Sequence, residues 1–244
     1  MGSDSISSNS GSGGTADPRA RLQAAEHAAR DGRHEEALLE FVWFHDHALE
    51  HDRALYGVRL SFALFYWVEL GEVFPEARRK LEEIRDRKAA LLAAGKGDRE
   101  IFHDVESINQ ALGAESHTYQ LFKTMLRAAP LNAAAWARLA QDAIVKAGDF
   151  ELAARFAHPP EDTLLRYAAM LNRRIADATG DAVRKKMERD AYVAIYVDDV
   201  RRMMAILEGT GKRAESRACR DWAVALADDR SVRKRVSDAL ANLN

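Results

Sequence analysis

Apolar residues recur at intervals of three and four along most of this 244-residue chain. That spacing places them on one face of an α-helix. Alternating β-branched runs and Asn-Gly turns, the usual signals of strands and hairpins, do not occur in the sequence. Single glycines such as Gly32, Gly71, Gly148 and Gly211 separate the helical segments. The pattern therefore predicts an all-α protein made of helical hairpins packed side by side.

The periodicity predicts helices over residues 18–31, 34–51, 54–71, 74–94, 98–112, 116–129, 133–147, 150–157, 161–178, 182–208, 212–227 and 230–242. The most apolar segment runs from Leu55 to Leu70 and is interrupted by Arg59. It is too short for a comfortable membrane span, so we expect a buried helix.

The spacing of bulky residues in the middle of the chain indicates a structural repeat. Phe122 precedes Pro130 by eight positions, and a W-x-x-L-A sequence follows from Trp136. This order resembles the junction between two tetratricopeptide repeats, where one helix ends at Pro and the next begins with W-x-x-L-G. A repeat of about 34 residues would then begin near Arg99, and the following repeat would begin at Ala133, with Ala153 as the small residue of its second helix.

Two earlier segments share the small-then-bulky pair of a tetratricopeptide second helix, Ala37-x-x-x-Phe41 and Ala77-x-x-x-Leu81. The small residue lets two helices approach closely, and the bulky residue fills the space towards the next hairpin. The resemblance covers residues 18–160. It implies about four hairpins stacked as a right-handed superhelix, or solenoid, of antiparallel helix pairs with a concave groove.

The two ends of the chain depart from this pattern. Residues 1–17 are rich in Ser and Gly and are predicted to form a disordered tail. Pro159-Pro160 ends one helix and redirects the chain, and the helix over 182–208 is longer than a repeat helix. We therefore expect residues 161–244 to form a C-terminal helical continuation and cap.

Composition narrows the compartment and the partners. The formal net charge is −2, which favours neither nucleic acid nor a membrane surface as partner. Cys219 is the single cysteine, so an intrachain disulfide is excluded and a reducing, cytoplasmic location is expected. The basic clusters around Lys185, Arg201 and Lys234 are interleaved with Asp and Glu, which cancels most of their field.

His47 and His51 form the first candidate for chemistry. They are four residues apart on a predicted helix, with Glu50 beside them, so both imidazoles would share one face. The HExxH order is missing and no third ligand is identifiable. The alternative interpretation is a polar helix face near a helix end. Similarly, Cys219 on the apolar side of its helix suits a small buried residue better than a nucleophile.

The resemblance also locates a candidate binding groove. In tetratricopeptide proteins the first helix of each repeat lines the concave face. The matching positions here are Ser61, Phe65, Val68, Glu69, His103, Ser107, Gln110, Ala137 and Gln141. The Lys and Asn pattern that clamps a C-terminal carboxylate in chaperone-binding members is missing at these positions, which argues against a partner with an acidic C-terminus. A mixed polar and aromatic groove suits an extended segment or a helix. The alternative places Phe65 and Val68 in the core.

The leading functional hypothesis is a protein- or peptide-binding scaffold that uses this concave groove. Under this hypothesis we expect the protein to have no catalytic residue, no metal and no cofactor. The second hypothesis is a metal-dependent helical protein or enzyme using His47, Glu50 and His51. The third is a structural subunit of a homo-oligomer, such as a homodimer formed through apolar surface on an end helix.

Overall fold

The computed structural model describes residues 17–157 and 159–241, and every regular element within those ranges is helical. The helices are α1 (Pro18–Arg30), α2 (His34–His51), α3 (Tyr56–Arg59), α4 (Phe62–Val73), α5 (Pro75–Ala93), α6 (Arg99–Ala111), α7 (Glu115–Ala128), α8 (Pro130–Lys146), α9 (Phe150–Arg155), α10 (Pro160–Asp177), α11 (Ala182–Gly209), α12 (Arg213–Ala225) and α13 (Arg230–Ala241). The prediction of an all-α protein is confirmed. The predicted tail, apart from Asp17, lies outside the described residues.

Proline and glycine set many of the helix ends. Pro18, Pro130 and Pro160 occupy the first turn of α1, α8 and α10, where a missing N–H costs nothing. Gly148 closes α8 with φ at 74°, and its N–H donates to the carbonyl of Val145. This left-handed residue turns the chain into α9 within two positions.

The predicted single helix over residues 54–71 is instead broken at Ser61. A 3-10 turn, Arg53–Leu55, leads into the short α3, and α4 begins only at Phe62. The Ser61 hydroxyl donates to the carbonyl oxygen of Gly57 at 2.7 Å. That carbonyl is the acceptor that the Ser61 amide would use in a continuous α-helix, so the side chain replaces a backbone hydrogen bond.

The described residues fall into two compact units. The amino-terminal unit contains the chain up to Lys88 together with Ser107–Gly113, and the carboxy-terminal unit contains Ala89–Glu106 together with the chain from Ala114. Among the described residues, no helix is both long and apolar enough to cross a membrane.

The core of the amino-terminal unit is built on aromatic residues and on the predicted small residues. Phe41 stacks on Trp67 with ring centroids 6.0 Å apart. Ala37 and Ala77 are both completely buried. Trp67 Nε1 donates to the carbonyl oxygen of Ala77 at 2.9 Å, so one side chain both fills the core and joins α4 to α5.

The carboxy-terminal unit contains two apolar clusters. In the first, Phe102 of α6 lies against Phe122 of α7 and Trp136 of α8, with centroid distances of 6.5 and 6.1 Å. The second lies among α10 to α13 and includes Tyr196, whose hydroxyl donates to the carbonyl of Ala223 at 2.9 Å. Helices α8 to α11, which contribute to these clusters, also enclose the cleft described next.

Candidate functional site

A cleft of about 380 Å³ lies among α8, α10, α11 and the end of α9 in the carboxy-terminal unit. Its apolar lining consists of Ala134, Ala135, Ala137, Phe156, Ala157, Met203 and Ile206. Its size is within the range of ligand-binding pockets, and about half of its lining residues are polar or charged. Small side chains on α8 leave room for an extended chain to approach the helix.

Gln141 of α8 is the most buried polar residue on the α8 side of this cleft. Its side chain is only 9% exposed, and its Nε2 donates to the carbonyl oxygen of Ala153 at 2.9 Å. Its Oε1 is buried and has no hydrogen-bond partner within the described residues. The bond to Ala153 fixes the amide, so the free oxygen is held as an acceptor beside the cleft.

Thr163, in the first turn of α10, also lines the cleft. It is 8% exposed, and its amide N–H donates to the carbonyl of Pro159 at 3.1 Å. Its Oγ1 is buried without a partner in the described part of the chain. A buried polar atom without a partner costs about 1–3 kcal/mol, and the residues that line this cleft carry three such atoms, Gln141 Oε1, Thr163 Oγ1 and Arg202 Nε.

Four guanidinium groups line the cleft, and only one of them is neutralised there. Arg202 Nη1 donates to Asp199 Oδ1 at 2.8 Å, and Asp199 is the only acid in the described lining. Arg138 of α8, Arg155 of α9 and Arg166 of α10 have no ion pair with any described acid. The cleft is therefore electropositive even though the whole chain is nearly neutral.

Two aromatic rings lie beside the unpaired arginines. The guanidinium carbons of Arg138 and Arg166 are each 5.8 Å from the centroid of the Tyr167 ring. Arg155 lies 5.4 Å from the Phe156 ring centroid. Contacts of this kind are worth about 0.5–1 kcal/mol at exposed sites, and they leave the guanidinium N–H groups available to an anion.

Most of the predicted groove residues of the amino-terminal unit lie on its surface. Ser61 is the residue at the break before α4, and its hydroxyl is already bonded to Gly57. Phe65 is 57% exposed and packs edge-on against Tyr66, so the alternative of a core position is wrong for Phe65. Val68 is half-buried and packs against the core, as that alternative expected. Glu69 is exposed on the same helix.

The groove residues predicted on α6 and α8 differ in environment. In the amino-terminal unit Ser107 is buried and Gln110 is exposed. In the carboxy-terminal unit, His103 Nε2 lies 4.0 Å from Glu106 Oε2. Gln141 and the neighbouring Ala137 are the predicted groove residues that line the cleft.

The proposed metal ligands on α2 do not form a three-ligand set. His47 Nδ1 lies 3.2 Å from Glu50 Oε2, and the rings of His47 and His51 both pack against Trp43. Across residues 17–157 and 159–241 no group of three His, Cys, Asp or Glu side chains is arranged to hold a metal ion.

Cys219 has the environment of a core residue, as predicted. It is buried among α10 to α13, and burial raises the pKa of its thiol to about 11. A thiol with so high a pKa is almost fully protonated at neutral pH and is a poor nucleophile.

The arginines of the cleft were missed in the sequence for a physical reason. Arg138, Arg155 and Arg166 each have an acid four residues away, a spacing that predicts paired groups on a solvated helix face. Those acids are Asp142, Glu151 and Asp162, and none of them lines the cleft. The sequence does contain one signal, which is that the three arginines lie on consecutive helices around Pro159-Pro160. Arg138 is in α8, Arg155 is at the end of α9, and Arg166 is in α10.

Comparisons with known proteins identify no relative of this chain. No protein-family model matches it, and no curated protein or solved structure does so either.

Proposed function

We propose that this protein binds a segment of another protein or peptide, and that the cleft among α8 to α11 is the binding site. The observation that supports the proposal is a pair of buried polar atoms without partners, Gln141 Oε1 and Thr163 Oγ1, on two residues that line one cleft. Native proteins satisfy most buried polar atoms, so an unsatisfied pair is best explained by a ligand that supplies the missing hydrogen bonds.

A polypeptide matches this pair chemically. Gln141 Oε1 can only accept, and a backbone N–H can donate to it. The Thr163 hydroxyl can donate to a backbone carbonyl. Ala134, Ala135 and Ala137 offer a small apolar surface against which an extended backbone can lie. Binding would then depend on hydrogen bonds to the ligand backbone, and the other residues that line the cleft would select among ligand side chains.

We also propose that the hairpins stack as a tetratricopeptide-like superhelix in the cytoplasm. Two features support the repeat assignment. Phe102 and Trp136, placed one repeat apart by the sequence, are in contact, and the predicted small residues Ala37, Ala77 and Ala153 are completely buried. The proposed scaffold role assigns no catalytic residue.

Site-specific photo-cross-linking tests the binding proposal. A photoreactive amino acid at Ala135, which is exposed and lines the cleft, should capture the partner in native lysate. The same amino acid at Ala218, exposed on α12 and outside the cleft, is the matched control. We expect a product that is specific to Ala135 and that weakens in the Thr163→Val background. Equal products at both positions, unchanged by that substitution, would contradict the proposal.

A further inference from the structure

We infer that the segment bound in the cleft is acidic, with Asp or Glu side chains that pair with Arg138, Arg155 and Arg166. This inference rests on the proposed function and specifies its ligand. It starts from three arginines that line one cleft and have no acidic partner among the described residues.

Two other arginines of the same unit are already paired with an acid. Arg189 is bound to Asp229 at 2.8 Å, and Arg202 is bound to Asp199 at 2.8 Å. The acid at helical spacing from Arg138 is Asp142, which is held instead by Lys146 at 2.9 Å. Arg138, Arg155 and Arg166 therefore carry guanidinium charges that an acidic ligand can neutralise.

The positions of the three arginines favour a ligand with several carboxylates over a ligand with only one. Arg138 and Arg166 flank the Tyr167 ring, whereas Arg155 lies beside Phe156. The three come from three different helices, α8, α9 and α10. A single terminal carboxylate can form a bidentate pair with one guanidinium, so a short run of acidic side chains matches this distribution better.

Gln141 restricts the ligand further. Its free Oε1 is an acceptor, and an anion without a proton, such as sulfate or chloride, offers it no donor. An acidic peptide provides both the N–H that this oxygen needs and the carboxylates that the arginines need. The cleft is thus selective for acid groups attached to an amide-bearing chain.

A peptide array tests the inference directly. Each member has one fixed residue in a random background, and the fixed residues include Asp, Glu, Asn, Gln and phosphoserine, with both free and amidated C-termini. The full-length chain should bind Asp and Glu members most strongly, with little effect of the C-terminal group, and should lose this signal at high ionic strength. Preference for phosphoserine, or for a free C-terminus alone, would overturn the inference.

Variants separate failure of the inference from failure of the proposed function. Arg138→Gln combined with Arg166→Gln should weaken binding of the best acidic peptide by roughly tenfold or more, while Arg217→Gln, exposed on α12, should leave it unchanged. Arg166→Glu should shift the array preference towards Lys and Arg. If Thr163→Val weakens binding but the array prefers neutral peptides, the inference of an acidic ligand is wrong, whereas the proposal that the cleft is the binding site is supported. If every peptide binds the natural chain and the Thr163→Val variant with the same affinity, the proposed function itself fails.

Discussion

Gln141 Nε2 lies 2.9 Å from the carbonyl oxygen of Ala153, and this bond joins the two helices of the hairpin α8–α9. The hairpin α4–α5 has a similar bond, from Trp67 Nε1 to the carbonyl oxygen of Ala77. Both acceptors are completely buried alanines that the sequence predicted as close-approach positions. The indole of Trp67 has no other polar atom, whereas the amide of Gln141 retains an oxygen beside the cleft. The same kind of bond between hairpin helices thus uses the whole polar group of Trp67 but only part of that of Gln141.

Thr163→Val should preserve or increase stability while it weakens partner binding. The substitution removes a buried hydroxyl without a partner and keeps the side-chain shape, so the free energy of unfolding should rise by about 0–1 kcal/mol. The contrast is Thr210→Val, which removes a hydroxyl bonded to the carbonyl of Ile206 at 2.8 Å and should cost about 0.5–1.5 kcal/mol. Urea denaturation of both variants measures the difference. Destabilisation of Thr163→Val beyond that of Thr210→Val would show that the hydroxyl is satisfied.

Gly209→Ala should destabilise the protein although Ala is the better helix former. A Cβ at this last residue of α11 would overlap the side chain of Phe150, so the ring must move. We expect a cost of about 1–3 kcal/mol from overpacking. Gly57→Ala is the control, because no atom lies within 4 Å of its added Cβ. That variant should be neutral or up to about 1 kcal/mol more stable. Thermal unfolding that ranks the two in the opposite order would contradict the packing of α9 on α11.

Ala37→Leu and Ala77→Leu should each overpack the contact between hairpin helices. Both alanines are completely buried, so we expect each substitution to cost about 1–3 kcal/mol. Ala20→Leu on the exposed side of α1 is the matched control and should change stability by less than about 0.5 kcal/mol. Unfolding midpoints of the two core variants that equal that of Ala20→Leu would refute the repeat register.

The cap of α13 should make stability depend on pH in the acid range. Hydrogen bonds from the Ser231 hydroxyl, from Arg189 and from the Val232 amide lower the pKa of Asp229. Since the folded pKa is below the ordinary value of about 3.9, the stabilisation is complete above that pH and disappears as the pH falls through the folded value.

Asp229→Asn tests this dependence. It should be about 1 kcal/mol less stable than the natural chain at pH 7, since the helix end and Arg189 lose their anion. The gap should narrow steadily below pH 4. Asp228→Asn, at the exposed neighbouring position, should follow the natural chain at every pH. A gap that stays constant down to pH 2 would mean that the carboxylate charge contributes nothing.

The helices could be predicted from the sequence because their signals are local. Apolar periodicity placed the segments, and residues such as Pro130 and Gly148 marked their ends within a few positions. The break at Ser61 escaped prediction because it depends on a side-chain hydrogen bond to Gly57, which an apolar pattern does not record.

The cleft was predicted only at Gln141 and Ala137. The resemblance to tetratricopeptide repeats marked these residues because it assigns one face of each first helix. It gave no indication of Thr163 or Arg166, because these follow Pro160, beyond the segment where the repeat pattern holds. Their position beside Gln141 results from the packing of α10 on α11 and of α11 on α8, which are contacts between distant parts of the chain.

Amide chemical-shift mapping on the full-length chain tests the central claim most directly. The titrant is the segment recovered by cross-linking or the best-binding peptide of the array. If the ligand binds in the cleft, the largest shifts should fall on Ala134, Ala135, Thr163 and Tyr167, and Thr163→Val should reduce them at the same peptide concentration. Shifts that fall instead on Phe65, Glu69 and Gln110, and that persist in Thr163→Val, would contradict the cleft and place binding on the amino-terminal unit.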